Sequence, residues 1–392
     1  MYSSSNNKKL IYILIPFALT LGMALDIYLP SIPSISTSLA TSISMVQWTM
    51  SGFFLCFGIG QLLVGPISDY VGRKKTIFWS LILYISGSVI SALAPNIETL
   101  IFARLVQSFG AAGTQISAFS IAKDSVRDKK TSEQVFTYLK GSMGFAPIVA
   151  PIIGSFLEYH FNWRAPFFVL AVFGAFLMGL NYRSIEESLA EEDRTKLSFG
   201  SITSYFQMAK DSRFMSLAIC LVSSQVVLFS FFSLSPHIII STLGYDERFF
   251  GICFGANALT YSVASIISAR SLSHIGAISC IKIGGIMISS AGILLLCLLK
   301  YQGLTLITLL GPTLLASSGT SFIIGPATSL AVDSYKRITA TATAFLGSLE
   351  AVIAAAIGNV SVAVSDFDGK TFAYIVTISG IAILLSQRFA RK

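Results

Sequence analysis

Gly65-Pro-Ile-Ser-Asp69-Tyr-Val-Gly72-Arg73-Lys74-Lys75 lies between two apolar runs, near residues 44 to 67 and 76 to 94. Each run is about as long as the roughly 20 mostly apolar residues that cross a bilayer core. The stretch therefore reads as a tight turn joining two membrane helices. Gly65 permits a close helix contact there, and Asp69 is placed to pair with a basic residue or a helix N-terminus. Three consecutive cations, Arg73, Lys74 and Lys75, mark this end as the side that stays in the cytoplasm.

The same pattern runs outward in both directions. Of 392 residues, 54% are hydrophobic and 12% charged, and the mean hydropathy is +0.74, whereas about a quarter of a soluble domain is charged. The apolar runs predict twelve spans, near 10 to 33, 44 to 67, 76 to 94, 98 to 122, 135 to 158 and 164 to 182, then 214 to 240, 249 to 269, 281 to 299, 304 to 331, 338 to 364 and 370 to 387. The first run follows Lys8 and Lys9 but has no small-residue cleavage site, so it is taken as a span and not as a signal peptide. A polar stretch at 183 to 213, with Glu186, Glu187, Glu191, Glu192, Asp193, Arg194 and Lys196, separates two sets of six. That predicts an all-α membrane protein with bundles at 1 to 182 and 214 to 392, joined by a solvated cytoplasmic linker.

Charge placement sets the orientation. With a cytoplasmic N-terminus, 22 of the 27 Lys and Arg residues fall in inner loops and tails, and four fall outside, Arg164, Arg248, Lys300 and Lys370. Both termini are thus expected in the cytoplasm. The net charge of +8 then faces anionic lipid and requires no nucleic acid. Cys56, Cys220, Cys253, Cys280 and Cys297 form no CxxC pair, and His160, His237 and His274 are scattered, so neither disulfide, metal nor cofactor is expected. The absence of a Walker A loop argues against an ATP-driven motor on this chain.

The halves echo each other. Asp69-x-x-Gly72 is matched by Ser273-x-x-Gly276, and Pro30 by Pro236. The Gly65 to Lys75 stretch closely resembles the loop signature of the major facilitator superfamily between its second and third spans. Asp26-Ile-Tyr-Leu-Pro30-Ser-Ile-Pro33, Arg104-Leu-Val-Gln107-Ser-Phe-Gly110 and Gly144-Phe-Ala-Pro147-Ile-Val-Ala-Pro151-Ile-Ile-Gly154 look like the twelve-span drug/proton antiporter branch. With Asn162-Trp163-Arg164 they most resemble its Bcr/CflA group of multidrug efflux proteins. The chain departs from the common pattern at Ser108, where glycine is usual, and at Glu350. The resemblance implies two parallel six-helix repeats, a substrate site between them near the midplane, a bacterial inner membrane, and export in exchange for protons. A monomer is expected.

Ionisable residues within spans are costly and point to function. Asp26 lies 17 residues past Lys9 and Arg104 lies 19 before Lys123, which places them about 25 and 28 Å deep at 1.5 Å per residue. Asp26 is the expected proton carrier, biased by Arg104 or by a cationic substrate; a permanent structural pair is the alternative. Glu350, among the small residues Ala344 to Gly347 and Ala351 to Ala356, is a second proton carrier, a cation contact or a tie between helices. Lys140 either faces a cytoplasmic opening with Arg104, which suits an anion, or snorkels. Gln107, Gln115, Asn257 and Tyr138, with Gln61 and Gln225, are candidate cavity hydrogen-bonders, with helix packing as their alternative role. Gly65, Asp69, Gly72 and Arg73, together with Gly144, Pro147, Pro151 and Gly154 in span five, are the expected switching elements. The predicted function is a proton-coupled antiporter of amphiphilic molecules or drugs. A dedicated exporter of a metabolite or carboxylate siderophore is the nearest alternative, and a membrane-embedded enzyme a more distant one.

Overall fold

A computed structural model describes residues 12–124, 139, 146–189, 201–333, 335 and 339–390. Among the described residues the chain is helical, without a strand. Helices satisfy their backbone groups internally, as a bilayer requires. The chain divides into two compact units, Met1–Ser198 and Phe199–Lys392.

The first unit holds α1 (Tyr12–Ala18), α2 (Thr20–Asp26), a 3-10 turn (Leu29–Ser31), α3 (Ile32–Ser38), α4 (Ile43–Val71), α5 (Arg73–Ala92), α6 (Ile97–Asp124), α7 (Ala146–His160) and α8 (Ala165–Ser184). The second holds α9 (Ser201–Lys210), α10 (Ser212–Pro236) with a π-helical end (His237–Thr242), α11 (Glu247–Ile275), α12 (Ala277–Gln302), α13 (Leu306–Asp333), α14 (Thr339–Ala363) and α15 (Lys370–Ala390). Among the described residues nine helices are long and apolar enough to cross a membrane, and the bent pair Tyr12–Ala18 and Thr20–Ser38 makes ten. The other two expected spans correspond to α6, 28 residues long but diluted by small polar residues, and to α7, described over 15 residues. Helix α9 falls inside the stretch expected to be a solvated linker.

Local chemistry starts these helices where it should. Ser42, Asn96, Asp211 and Asp246 each accept a hydrogen bond from a backbone N–H in the first turn of α4, α6, α10 and α11; Ser, Asn and Asp are the favoured residues for this capping. At Asp211, burial works against the charged form. The Tyr335 hydroxyl at 2.8 Å and the Phe214 and Arg213 N–H groups outweigh it and hold the carboxyl below its ordinary range.

Each unit repeats the same packing. In the first, α5 lies on α6 and α8, and α4 lies on α6; in the second, α12 lies on α13 and α15, and α11 lies on α13. The crossing of α5 and α6 in the first unit is made close by glycines. A Cβ on Gly87 would strike the backbone of Ala103 and Gln107, and one on Gly110 would strike Ser80 and Tyr84. A Cβ on Gly65 would meet nothing within 4 Å, so within this unit the close contact expected at Gly65 is made at Gly87 and Gly110 instead.

The sequence echo between the halves has a backbone counterpart. Gly72, with φ 106° and ψ 152°, ends α4 and begins α5, and Gly276, with φ 76° and ψ 163°, ends α11 and begins α12. Only glycine tolerates this region without strain. Each donates its N–H four residues back, to Ser68 and Leu272 at 3.1 Å. Both first spans are irregular near their matched prolines: the 3-10 turn contains Pro30, and the π-helical end follows Pro236.

The two glycines differ in what surrounds them. Space beside Gly276 is open, while a Cβ on Gly72 would collide with the carboxylate of Glu187. Gly276→Ala should therefore cost only backbone strain, about 1–3 kcal/mol, and Gly72→Ala should add the displacement of Glu187. Thermal unfolding of purified protein in detergent should show the larger drop for Gly72→Ala. Equal drops would mean that Glu187 does not rest on this turn.

Candidate functional site

Arg104, on α6, is a charged side chain of the first unit with no solvent exposure. Its Nε donates to the Thr49 carbonyl of α4 at 3.3 Å and its Nη1 to Gln107 Oε1 at 2.5 Å. Gln107 Nε2 in turn donates to the Ser88 hydroxyl of α5 at 2.7 Å. Three aromatic rings enclose the guanidinium. Its central carbon lies 4.4 Å from the Tyr28 ring centroid, 4.2 Å from that of Phe53 and 5.7 Å from that of Phe167. Such contacts strengthen when water is excluded. Nη2 has no hydrogen-bond partner.

Asp26 ends α2 and is 2% exposed. The structure brings Asp26 and Arg104 into one unit, both buried, and does not join them in an ion pair. Among the described residues the Asp26 carboxyl has no hydrogen bond or salt bridge. The backbone beside it is held from α7. Gly154 lies against the Ile27 carbonyl, and Gly22 against Ala146, so closely that a Cβ at either glycine would clash. Gly154 of span five thus fits against span one where α2 gives way to the 3-10 turn. Pro151 lies within α7, and its carbonyl accepts from the Ser155 hydroxyl at 2.7 Å. Pro147 is half-buried.

The candidate hydrogen-bonders are enclosed between helices. Gln107, Gln115 and Asn257 are 0%, 4% and 2% exposed. Gln115 donates to the Ala18 carbonyl at 3.1 Å, and Asn257 accepts from the Ser317 hydroxyl at 2.7 Å. Ser108, where the motif usually has glycine, donates to the Phe53 carbonyl at 2.5 Å and ties α6 to α4. Glu350, on α14, is half-buried and acts electrostatically on Tyr261 of α11. Tyr138, Lys140 and Gly144 lie outside the described residues.

A second charged centre surrounds the turn at Gly72. Arg73 pairs with Asp69 at 2.5 Å and with Asp124 of α6 at 3.1 Å, and its Nη1 also donates to the Ser68 hydroxyl at 3.1 Å. The Glu187 carboxylate accepts from the Arg73 and Lys74 backbone N–H groups at 2.9 and 3.3 Å. An acid at a helix N-terminus satisfies donors that have no partner within the helix. Beside it the Ser188 hydroxyl donates to Asp124 at 3.4 Å, and Ile185 is buried with Leu14, Ile77 and Leu177. Sequence reasoning found Asp69 and Arg73 but missed Asp124 and Glu187. The signal available was a carboxylate at the end of span four and another at the start of the charged stretch.

A profile of the Major Facilitator Superfamily matches residues 14–359. The chain is 32% identical over 282 residues to an uncharacterized MFS-type transporter of Bacillus subtilis, which covers 71% of this chain and 70% of that one. It is 26% identical over 379 residues to a bicyclomycin resistance protein homolog of Haemophilus influenzae, covering 94% of each chain. Among solved structures, a human organic anion transporter superposes with a TM-score of 0.70 at 17% identity, over 98% of this chain and 99% of that one, a likeness of fold.

Gln107 links a buried donor, Arg104, to a buried acceptor, the Ser88 hydroxyl, so its removal should be felt in the unfolding of the protein. Gln107→Ala should cost about 1–3 kcal/mol by stranding buried polar groups, more than Ser108→Gly. Detergent unfolding midpoints test the order. A Gln107→Ala midpoint equal to wild type would show that the network does not hold these helices together.

Proposed function

The chain belongs to the Major Facilitator Superfamily, and from that premise we propose that it is a proton-coupled antiporter exporting small amphiphilic molecules or drugs by alternating access. It is a multi-pass membrane transporter of small molecules, not an enzyme. Proton coupling rests on Asp26. An acid enclosed in a membrane helix without a cation partner is costly, and its charge state depends on what comes near it. A proton and a substrate can therefore compete through it. Glu350 is the second carrier, on the other unit. The bicyclomycin resistance protein homolog supports export of drugs.

The rival reading, a dedicated exporter of carboxylates, would use Arg104. The aromatic rings and neutral oxygens around its guanidinium leave a substrate carboxylate little access, which favours the amphiphile reading. The distribution of basic residues supports a bacterial inner membrane location with both termini in the cytoplasm. The chain acts as a monomer. The charged turn at Gly72, now including Asp124 and Glu187, and the Gly154 contact on span one are the switching elements in this reading.

In proteoliposomes with an imposed pH gradient, Asp26→Asn should lose gradient-driven transport while inserting normally, because asparagine keeps the shape but cannot cycle a proton. Glu350→Gln should be milder. A screen for substrates begins with bicyclomycin. Full gradient-driven transport by Asp26→Asn would refute the assignment.

At the turn, Arg73→Ala should slow transport more than Asp69→Ala. The former leaves two carboxylates without their shared cation, whereas Asp69 is half exposed, with 47% of its side chain accessible. Ligand binding should persist in both. Transport at the wild-type rate in Arg73→Ala, at normal protein level, would remove this turn from the mechanism.

A further inference from the structure

Arg104 and Asp26 are opposite charges buried in the same unit, yet they are not paired. The reason lies with the residue two positions past Asp26. Side chains two apart on a helix do not face each other, and the backbone remains near-helical here, with Ile27 at φ −65°, ψ −30° and Tyr28 at φ −99°, ψ 0°. The Tyr28 ring lies against the Arg104 guanidinium, while Asp26 Oδ2 lies beside Gly22, one turn back on α2, and acts electrostatically on Tyr28. Tyr28 is itself fixed. Its hydroxyl lies 3.1 Å from the Thr49 hydroxyl, and its ring lies 5.5 Å from that of Phe167. The Thr49 carbonyl also accepts from Arg104, so one residue of α4 orients both the ring and the cation.

Nη2 of the guanidinium makes no hydrogen bond of good geometry, and the oxygen that acts on this cation from the first span is the Tyr28 hydroxyl. A buried arginine would take a carboxylate if one came within reach, because charge-assisted bonds are roughly twice as strong as neutral ones. We infer that Tyr28 is a positioning residue for proton exchange: its ring, one wall of the aromatic box, keeps Arg104 from pairing with Asp26, so the acid holds its proton without a resident counter-ion. The inference rests on the reading of Asp26 as the proton carrier. The charged and titratable groups that bear on this centre are Tyr28 of its own segment, Arg104 of α6 and Tyr84 of α5; Tyr28 stands between the two, its hydroxyl acting on Arg104 by charge and hydrogen bonding and interacting electrostatically with Asp26, and Tyr84 acts on Arg104. No charged side chain of α7 acts on Asp26 among the described residues.

Infrared spectroscopy of the purified, full-length protein tests this without a ligand. The carboxylic acid carbonyl band of Asp26, identified by its loss in Asp26→Asn, is followed as a function of pH. Tyr28→Leu should move the midpoint about 1–3 pH units lower, the shift expected when a carboxylate gains an arginine partner. Tyr28→Phe keeps the ring and should titrate near wild type. In Tyr28→Leu/Arg104→Gln the midpoint should return upward, because the cation is gone; a merely structural role for the ring would produce no such return. If Tyr28→Leu does not fold, Tyr28→Met, with a flexible side chain of similar reach, takes its place. Midpoints equal to wild type in the ring-less variants, or no titrating band lost in Asp26→Asn, would overturn the inference. Gradient-driven transport persisting in Asp26→Asn bears on the coupling assignment alone, because the titration is independent of transport.

Discussion

A guanidinium deprived of water has to be matched by something inside the protein. In the first unit the match is made by π faces and neutral oxygens, with no carboxylate among the described residues. Arg104 draws on α4 through Thr49 and Phe53, on α5 through Gln107 and Ser88, on α8 through Phe167 and on the first span through Tyr28. A single charge thereby sets the mutual placement of the helices around it. Had a carboxylate supplied the match, one bond would have satisfied much of the same group, and fewer elements would have been committed to it. The consequence falls on Asp26, buried in the same unit and left without a salt bridge among the described residues.

The same economy shapes the turn between α4 and α5. Arg73 is nearly buried between two acids, and Glu187 returns from beyond α8 to satisfy the first donors of α5. In the second unit the corresponding turn at Gly276 has the same backbone and an open surround. Two repeats with matching helix pairings thus differ at this point in charge. One turn carries an interlocked set of ions with a carboxylate packed on its glycine, and at the other the space beside the glycine is open.

Much of this architecture was legible in the sequence, since bilayer spans advertise themselves by length and hydropathy and the paired motifs around Gly72 and Gly276 share a backbone requirement. Asp26, Arg104, Asp69 and Arg73 stood out because charge is rare in apolar surroundings. The aromatic box did not, because Tyr28, Phe53 and Phe167 are unremarkable among 30 Phe and 14 Tyr, and only a fold selects three of them. Glu187 was hidden for the opposite reason: it opens a run of acids and bases that reads as a solvated stretch, and nothing in that run marks the one carboxylate that meets a helix end. Gly65 drew attention as part of a motif, while the glycines that let α5 and α6 touch, Gly87 and Gly110, looked like ordinary small residues. Pro30 and Pro33 stood in a first span read as continuous, and both its interruption there and the seat of that interruption against Gly154 required the chain to be folded.

The contact between α5 and α6 is backbone against backbone at Gly87 and Gly110, and such a joint has almost no give. Side chains absorb small displacements by changing rotamer; two main chains in contact cannot. Mechanically the pair behaves as one beam, with the charged turn at its end and Arg104 three residues from the main chain of Gln107 that Gly87 touches. Gly87 lies 14 residues along α5 from Arg73, a lever arm of about 21 Å at 1.5 Å per residue. A tilt applied at the ionic end would arrive at the aromatic box undamped, and loosening this joint would make the two ends deaf to each other.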